Sequence, residues 1–159
     1  MGHTTLLFLI KKSGNEISHI CLAKKKRSFG VGRWNGTGGK LNNGESIEDA
    51  AARETKEEIG VIVKNFKKMA ELSFTFPHES SWNQTAHVYF CENWENEPEE
   101  SEEMNPKWFS IENLPFEEMW PDDIFWLPKV IKGELIKGSF IFGENDIVLK
   151  HKIKSIKSF

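Results

Sequence analysis

A chain of 159 residues with 38% hydrophobic content can bury one core, and no composition break divides it, so a single domain over residues 1–159 is expected. Its 21 Lys and Arg against 24 Asp and Glu leave a net charge of -3, which excludes the global basic field that dominates binding to long nucleic acid. No apolar run approaches the ~20 residues of a membrane span and no basic-then-apolar leader opens the chain, so a soluble, unexported protein without a membrane partner is expected.

In chain order, "TTLLFLIKK" and "ISHICLAKK" read as two strands joined by a turn at "SGNE", and "GVGRWNGTGGKLNNGE" as a Gly- and Asn-rich loop. Residues 46–60, "SIEDAAARETKEEIG", predict a bounded helix, with Ser46 as N-cap, Asp49 three residues on, and Gly60 as the C-terminal stop. Two strand-rich stretches follow, "VIVKNFKKMAELSFTF" and "TAHVYFCEN", separated by the polar "PHESSWNQ". The acidic "ENEPEESEE" reads as a solvated loop and "PKWFSI" as another strand. "PDDIFWLPKVIKG" starts as a helix should, with an amphipathic body interrupted at Pro128, and "GSFIFGENDIVLKHKI" predicts a closing hairpin turning at "GEN". The fold class is α+β, a mixed sheet with helices packed on it. Cys21 and Cys91 sit inside apolar strand-like runs and read as buried free thiols, which suits a reducing cytoplasm.

The helix raises a physical question. Ile47, Ala50 and Ala51 make an apolar stripe at i, i+3, i+4 spacing, and the stripe continues into Glu54, Glu57 and Glu58. Clustered carboxylates on a packing face repel one another and resist desolvation. A solvated face paired to Arg53 and Lys56 is one reading. The other is a hard-oxygen site for a divalent cation, whose charge removes the repulsion, beside a glycine loop that lets a ligand approach the backbone.

With those residues in view, the chain resembles the Nudix hydrolases: Gly39, five residues, Glu45, seven residues, Arg53-Glu54, two residues, Glu57-Glu58, one residue and Gly60-Val61 match the Nudix box. One departure is Thr55, where the family usually carries a bulky aliphatic residue that packs on the sheet. The resemblance implies the Nudix fold, an α/β/α sandwich with a central mixed β-sheet, and hydrolysis of a nucleoside diphosphate linked to another group. It further implies that the Gly38 carbonyl and the carboxylates of Glu54, Glu57 and Glu58 hold Mg²⁺, with Mn²⁺ as an alternative, while Glu45 and Arg53 brace the loop. Glu58 or Glu54 is the general base the resemblance favours, and Glu103 of "SEEM" is a further candidate for metal or water.

The stretches "KKKRSFGVGRWNGTGGK", "SFTF", "ESEEMNPKWF" and "LPFEEMWPDD" are similar to the branch of the family acting on oxidised purine nucleoside triphosphates, such as 8-oxo-dGTP and 2-hydroxy-dATP. That branch implies release of the nucleoside monophosphate and pyrophosphate, a small-molecule nucleotide partner and a monomer. Asn35 would read one purine edge and Asp122 with Asp123 the other, sharing a proton. Trp120, Phe29, Phe74 and Met104 match the lining positions of the base pocket. Taken alone, "PDD" is better read as a helix start, and each aromatic as core. Trp34 and Trp108 are expected in the core, His78, His87 and His151 as structural or solvated, and "KKKR" as a solvated face that attracts phosphate. The rivals are Nudix hydrolases of RNA 5′ ends, dinucleoside polyphosphates or nucleoside diphosphate sugars, and a non-catalytic nucleotide sensor.

Overall fold

The computed structural model describes residues 2–159. Strands β1 (Gly2–Ser13) and β2 (Glu16–Lys25) form the predicted hairpin, but they pair only where Ile10–Ser13 meets Glu16–Ile20. Toward the other end the strands part, and the glycine-rich segment takes the freed edge of β1. Thr5 N donates to Gly39 O, and Leu7 and Thr37 exchange both backbone hydrogen bonds. The segment is therefore more ordered than a loop, and it includes β3 (Trp34–Asn35), which pairs with the end of β2.

Helix α1 (Ile47–Ile59) has the predicted bounds: Ser46 Oγ accepts from Asp49 N, and Gly60 ends the helix in the left-handed conformation at φ 73°. The chain then runs through β4 (Ile62–Val63), β5 (Phe66–Thr75), β6 (Gln84–Cys91), β7 (Trp94–Glu95), β8 (Met104–Ser110), α2 (Asp123–Ile131), β9 (Leu135–Phe142) and β10 (Val148–Ile156). The large sheet has the order β10-β9-β5-β6-β1-β2-β3, with β8 also paired to β2, while β4 and β7 pair apart from it. The β1–β6 and β5–β9 pairs are parallel and the others antiparallel, so the sheet is mixed as expected.

Period-2 alternation in β1 divides the core between the two faces. Leu7 and Leu9 pack with Ala51, Ile59 and Val61 on the α1 side. Phe8 and Ile10 pack with Trp126, Leu127 and Val130 on the α2 side. Each such fully buried aliphatic or aromatic side chain contributes about 1.5–3 kcal/mol, so the two helices are held by their apolar faces. Cys21 and Cys91 are buried free thiols, as expected, and burial pushes the Cys21 thiol up to about 12, far from reactivity.

Two expectations are corrected. Pro128 does not interrupt the second helix, which continues through it to Ile131. The hydrogen bond it forgoes would go to the carbonyl of Ile124, an exposed residue beside water. Nor is the acidic connection simply a solvated loop. Glu99 N donates to Ile59 O, Ser101 Oγ donates to Glu58 O, and Glu100, Glu102 and Glu103 pair with Lys26 and Arg27. The basic and acidic runs satisfy each other. Of "KKKR", Lys24 also has a partner, Glu118, and only Lys25 lines the central cavity.

Candidate active site

The wedge between β1 and β2 opens into a cavity of ≈ 360 Å³, within the ~300–1,000 Å³ range of small-molecule sites. One wall is the glycine segment. A Cβ at Gly38 would fall 1.8 Å from Thr5 O, and one at Gly39 would fall 2.8 Å from the Glu54 carboxyl carbon. Only glycine lets this backbone lie against β1 and under α1 together.

Behind this wall lie the carboxylates of α1; none of them lines the cavity, and they differ in environment. Glu58 is buried at 2% exposure, with its Oε1 accepting from Gly38 N at 2.8 Å, whereas Glu54 is half-buried and Glu57 exposed. The buried stripe thus runs through Ala50, Ala51, Thr55, Glu58 and Ile59. Burial, reinforced by repulsion from Glu54 and Glu103, pushes the Glu58 carboxyl up to about 7, against the Gly38 hydrogen bond and Lys25. Arg53 donates to Glu45 at 2.7 and 2.9 Å, to Glu54 at 2.8 Å, to Glu57 at 3.2 Å and to Lys40 O at 3.2 Å. Those bonds hold the Glu45 carboxyl down, at about 2. Arg53 and Glu45 therefore brace the loop against the helix. Lys56 is exposed and forms no ion pair among the described residues.

Thr55 replaces an aliphatic contact with a polar one. It is fully buried, its hydroxyl donates to Ala51 O at 2.8 Å, and it lies 2.7 Å from Thr37 Oγ1, which ties α1 to the glycine segment. Among the described residues no three acidic, His or Cys side chains form a ready cage for a metal ion. Arg53 occupies the space between Glu54 and Glu57 instead. The donor set nevertheless fits a hard divalent cation: carboxylate oxygens, a backbone carbonyl at Gly38 and a buried Glu58 whose charge lacks full compensation.

The residues expected to contact a purine base converge on the cavity itself. Phe29, Asn35, Phe74, Met104, Trp120, Asp122 and Asp123 all line the cavity. Asn35 Oδ1 already accepts from Gly36 N at 2.9 Å, so its amide N–H groups are the more available face. Asp122 stands at the N-terminus of α2 but makes no cap; its Oδ2 accepts from Trp126 Nε1 at 2.8 Å. Asp123 is 2% exposed, and its Oδ2 has no hydrogen-bond partner. Burial pushes Asp122 up to about 6, and burial with the neighbouring charge of Asp122 raises Asp123 well above the usual carboxylate range. Two adjacent buried carboxyls in mutual contact cannot both ionise cheaply, so they retain a proton.

Sequence reasoning missed Trp82 and Arg33. Trp82 packs on Phe29, Phe76 and His78 with ring centroids 5.5, 5.6 and 5.8 Å away, beside the cavity mouth. Its position in a polar loop hid it. Trp34 and Trp108 lie off the cavity as expected, against the two cores. His87 is a structural residue, buried between Lys68 Nζ and His3 Nδ1 at 2.9 Å each, and His151 stacks on Phe125.

This fold with this helix is that of a hydrolase family: the model of the NUDIX domain matches residues 3–130, and the chain belongs to the Nudix family. Members generally require a divalent metal ion. The chain is 41% identical over 138 residues to the oxidized purine nucleoside triphosphate hydrolase of Danio rerio, covering 87% of this chain and 88% of that protein. To the Mus musculus protein of the same description it is 39% identical over 140 residues, covering 88% and 89%. The crystal structure of a mutator MutT protein from Bacillus halodurans shares the fold, at a TM-score of 0.82 and 22% identity over 97% of this chain and 98% of that one. No helix among the described residues is long and apolar enough to cross a membrane.

Proposed function

We propose that this protein hydrolyses oxidised purine nucleoside triphosphates, such as 8-oxo-dGTP and 2-hydroxy-dATP, to the monophosphate and pyrophosphate, and so sanitises the nucleotide pool. The observation that carries the reading is the Asp122–Asp123 pair: two buried carboxyls facing a purine-sized cavity, with one oxygen of Asp123 left unpartnered. A carboxyl that is protonated donates and one that is ionised accepts, so the pair suits purine edges altered by oxidation. The relatives named for this activity support it.

In this reading Asn35 and the Asp pair grip the base, while Phe29, Phe74, Trp120 and Met104 enclose it. The phosphates extend toward α1, where the Gly38 carbonyl, Glu54, Glu57 and Glu58 would hold Mg²⁺, with Glu103 as an additional donor. Bound Mg²⁺ neutralises phosphate charge and favours in-line attack by water. Glu58, its Oε1 held by Gly38 N, would take the proton of that water. Arg53 keeps Glu54 and Glu57 in place, and Lys25 at the cavity wall draws the polyphosphate in. Strands β9 and β10, beyond the matched segment, continue the same sheet, which suits one domain. The buried free thiols suit a cytoplasmic setting.

The test is product analysis on a panel of 8-oxo-dGTP, 2-hydroxy-dATP, dGTP, dATP, a dinucleoside polyphosphate and triphosphate-ended RNA, with Mg²⁺ and with chelator. Metal-dependent pyrophosphate release, fastest on oxidised purines, is expected. Preference for RNA ends or dinucleotides would replace this substrate assignment.

A further inference from the structure

The base pocket has a brace whose outer half lies beyond the segment that the family model matches. The guanidinium carbon of Arg33 sits 4.1 Å from the ring centroid of Trp120, and its Nη2 pairs with Asp146 Oδ2 at 3.1 Å. Asp146 belongs to the turn between β9 and β10, and it does not line the cavity. Asn145 and Asp146 have φ of 61° and 58°, left-handed values that Asn and Asp adopt more readily than most residues. The turn, closed by Gly143 N donating to Ile147 O, thus aims a carboxylate at Arg33.

Both partners are more than two-thirds buried, so the pair is less screened than one on the open surface. The backbone of Arg33 is also fixed, its N–H donating to Gly30 O and its carbonyl accepting from Lys25 N. Its Nη1, however, is buried without a hydrogen-bond partner. Stacking and a single ion pair set the guanidinium, and Trp120 in turn lies 5.1 Å from Phe29. The same positive charge favours the ionised forms of Asp122 and Asp123 against their burial.

We infer that Arg33 is a positioning residue for base recognition: pinned by Asp146 of the C-terminal hairpin, it holds Trp120 against Phe29 and so sets the aromatic wall before substrate arrives. Arginine is required because its planar fork can stack and pair at once, which a lysine ammonium cannot. The inference rests on the proposed reading of Trp120 and the Asp pair as the base site.

The experiment is calorimetric binding of 8-oxo-dGMP to the metal-free protein, for wild type, Asp146→Asn, Arg33→Met, Arg33→Lys, the Arg33→Met/Asp146→Asn double variant and Asp122→Asn. Asparagine keeps the left-handed turn, and a single cooperative melting transition checks folding in each case. Arg33→Met should weaken binding about 5- to 30-fold, the range of a partly desolvated cation–aromatic contact. Asp146→Asn should weaken it less, Arg33→Lys should recover part of the loss, and the double variant should bind no worse than Arg33→Met alone. In turnover assays KM for 8-oxo-dGTP should rise while kcat stays within about twofold. Wild-type affinity in Asp146→Asn, or additive losses in the double variant, overturns the inference. Asp122→Asn separates the two levels: if it too binds as wild type, the base-site reading falls, and if it alone binds weakly, only the brace falls.

Discussion

Asp122 and Asp123 are costly residues, and the cost has a sign. Their carboxyls are raised in the folded protein relative to the unfolded chain, Asp122 to about 6. Between the ordinary Asp range and that value the folded state holds protons the unfolded state has released, so stability falls as pH rises through the window. Asp122→Asn removes the penalty while its amide oxygen still accepts from Trp126. The variant should therefore melt higher than wild type at pH 8 and no higher at pH 4; calorimetry at the two pH values decides it. For function, a permanent amide at 122 or 123 should lower kcat/KM for 8-oxo-dGTP and 2-hydroxy-dATP by different factors, about 5- to 150-fold, the range for one unpaired buried group. Equal kcat/KM across the purine panel in both variants and wild type would reduce the pair to a helix start. Asn35 and this pair were singled out through the resemblance to a family branch, and all three line the cavity. Arg33 and Trp82 were not, since each acts through partners distant in the chain.

Helix α1 was readable almost to the residue because its signals are local: a capping serine, a glycine stop and a stripe that turns acidic. What periodicity did not resolve is how differently the three glutamates sit, since burial depends on the glycine segment laid across the helix. Glu57→Gln and Glu58→Gln should each lower kcat by about 10²- to 10⁴-fold, the span of acid–base and charge contributions. In the metal-free protein at pH 8, Glu58→Gln should also raise the melting temperature, because a neutral amide replaces a buried carboxylate and still accepts from Gly38 N. Near-normal turnover in both would remove α1 from the chemistry. Thr55→Val keeps shape and deletes the hydroxyl between Ala51 O and Thr37, so chemical denaturation should show a loss of about 1–2 kcal/mol. A neutral result would mean that packing alone anchors the helix. In α2 the proline misled, since its effect depends on where the orphaned carbonyl points and not on the residue itself.

Across the whole molecule, the strands and hairpins follow from alternation and turns, but the pairing of the basic run with the acidic run joins segments some seventy residues apart, and no local pattern contains it. The ion pairs of Lys26 and Arg27 are half exposed and contribute about 0–1 kcal/mol each. The stronger tie is Ser101, whose hydroxyl donates to Glu58 O and accepts from Glu103 N and Met104 N. Ser101→Ala should therefore cost more stability than Glu100→Gln, and the order of their denaturation midpoints tests this. The position of β1 has a further consequence, for the order of assembly. It lies inside the sheet with Gly2–Leu9 paired in parallel to Gln84–Cys91, so this strand waits for β6, more than seventy residues later in the chain, before its second edge is closed. Parallel pairing across so long a loop is slow. Until it forms, an apolar strand edge stands open to any neighbouring chain. Refolding from denaturant is then a race between that closure and intermolecular pairing, and the yield of active protein declines as its concentration rises.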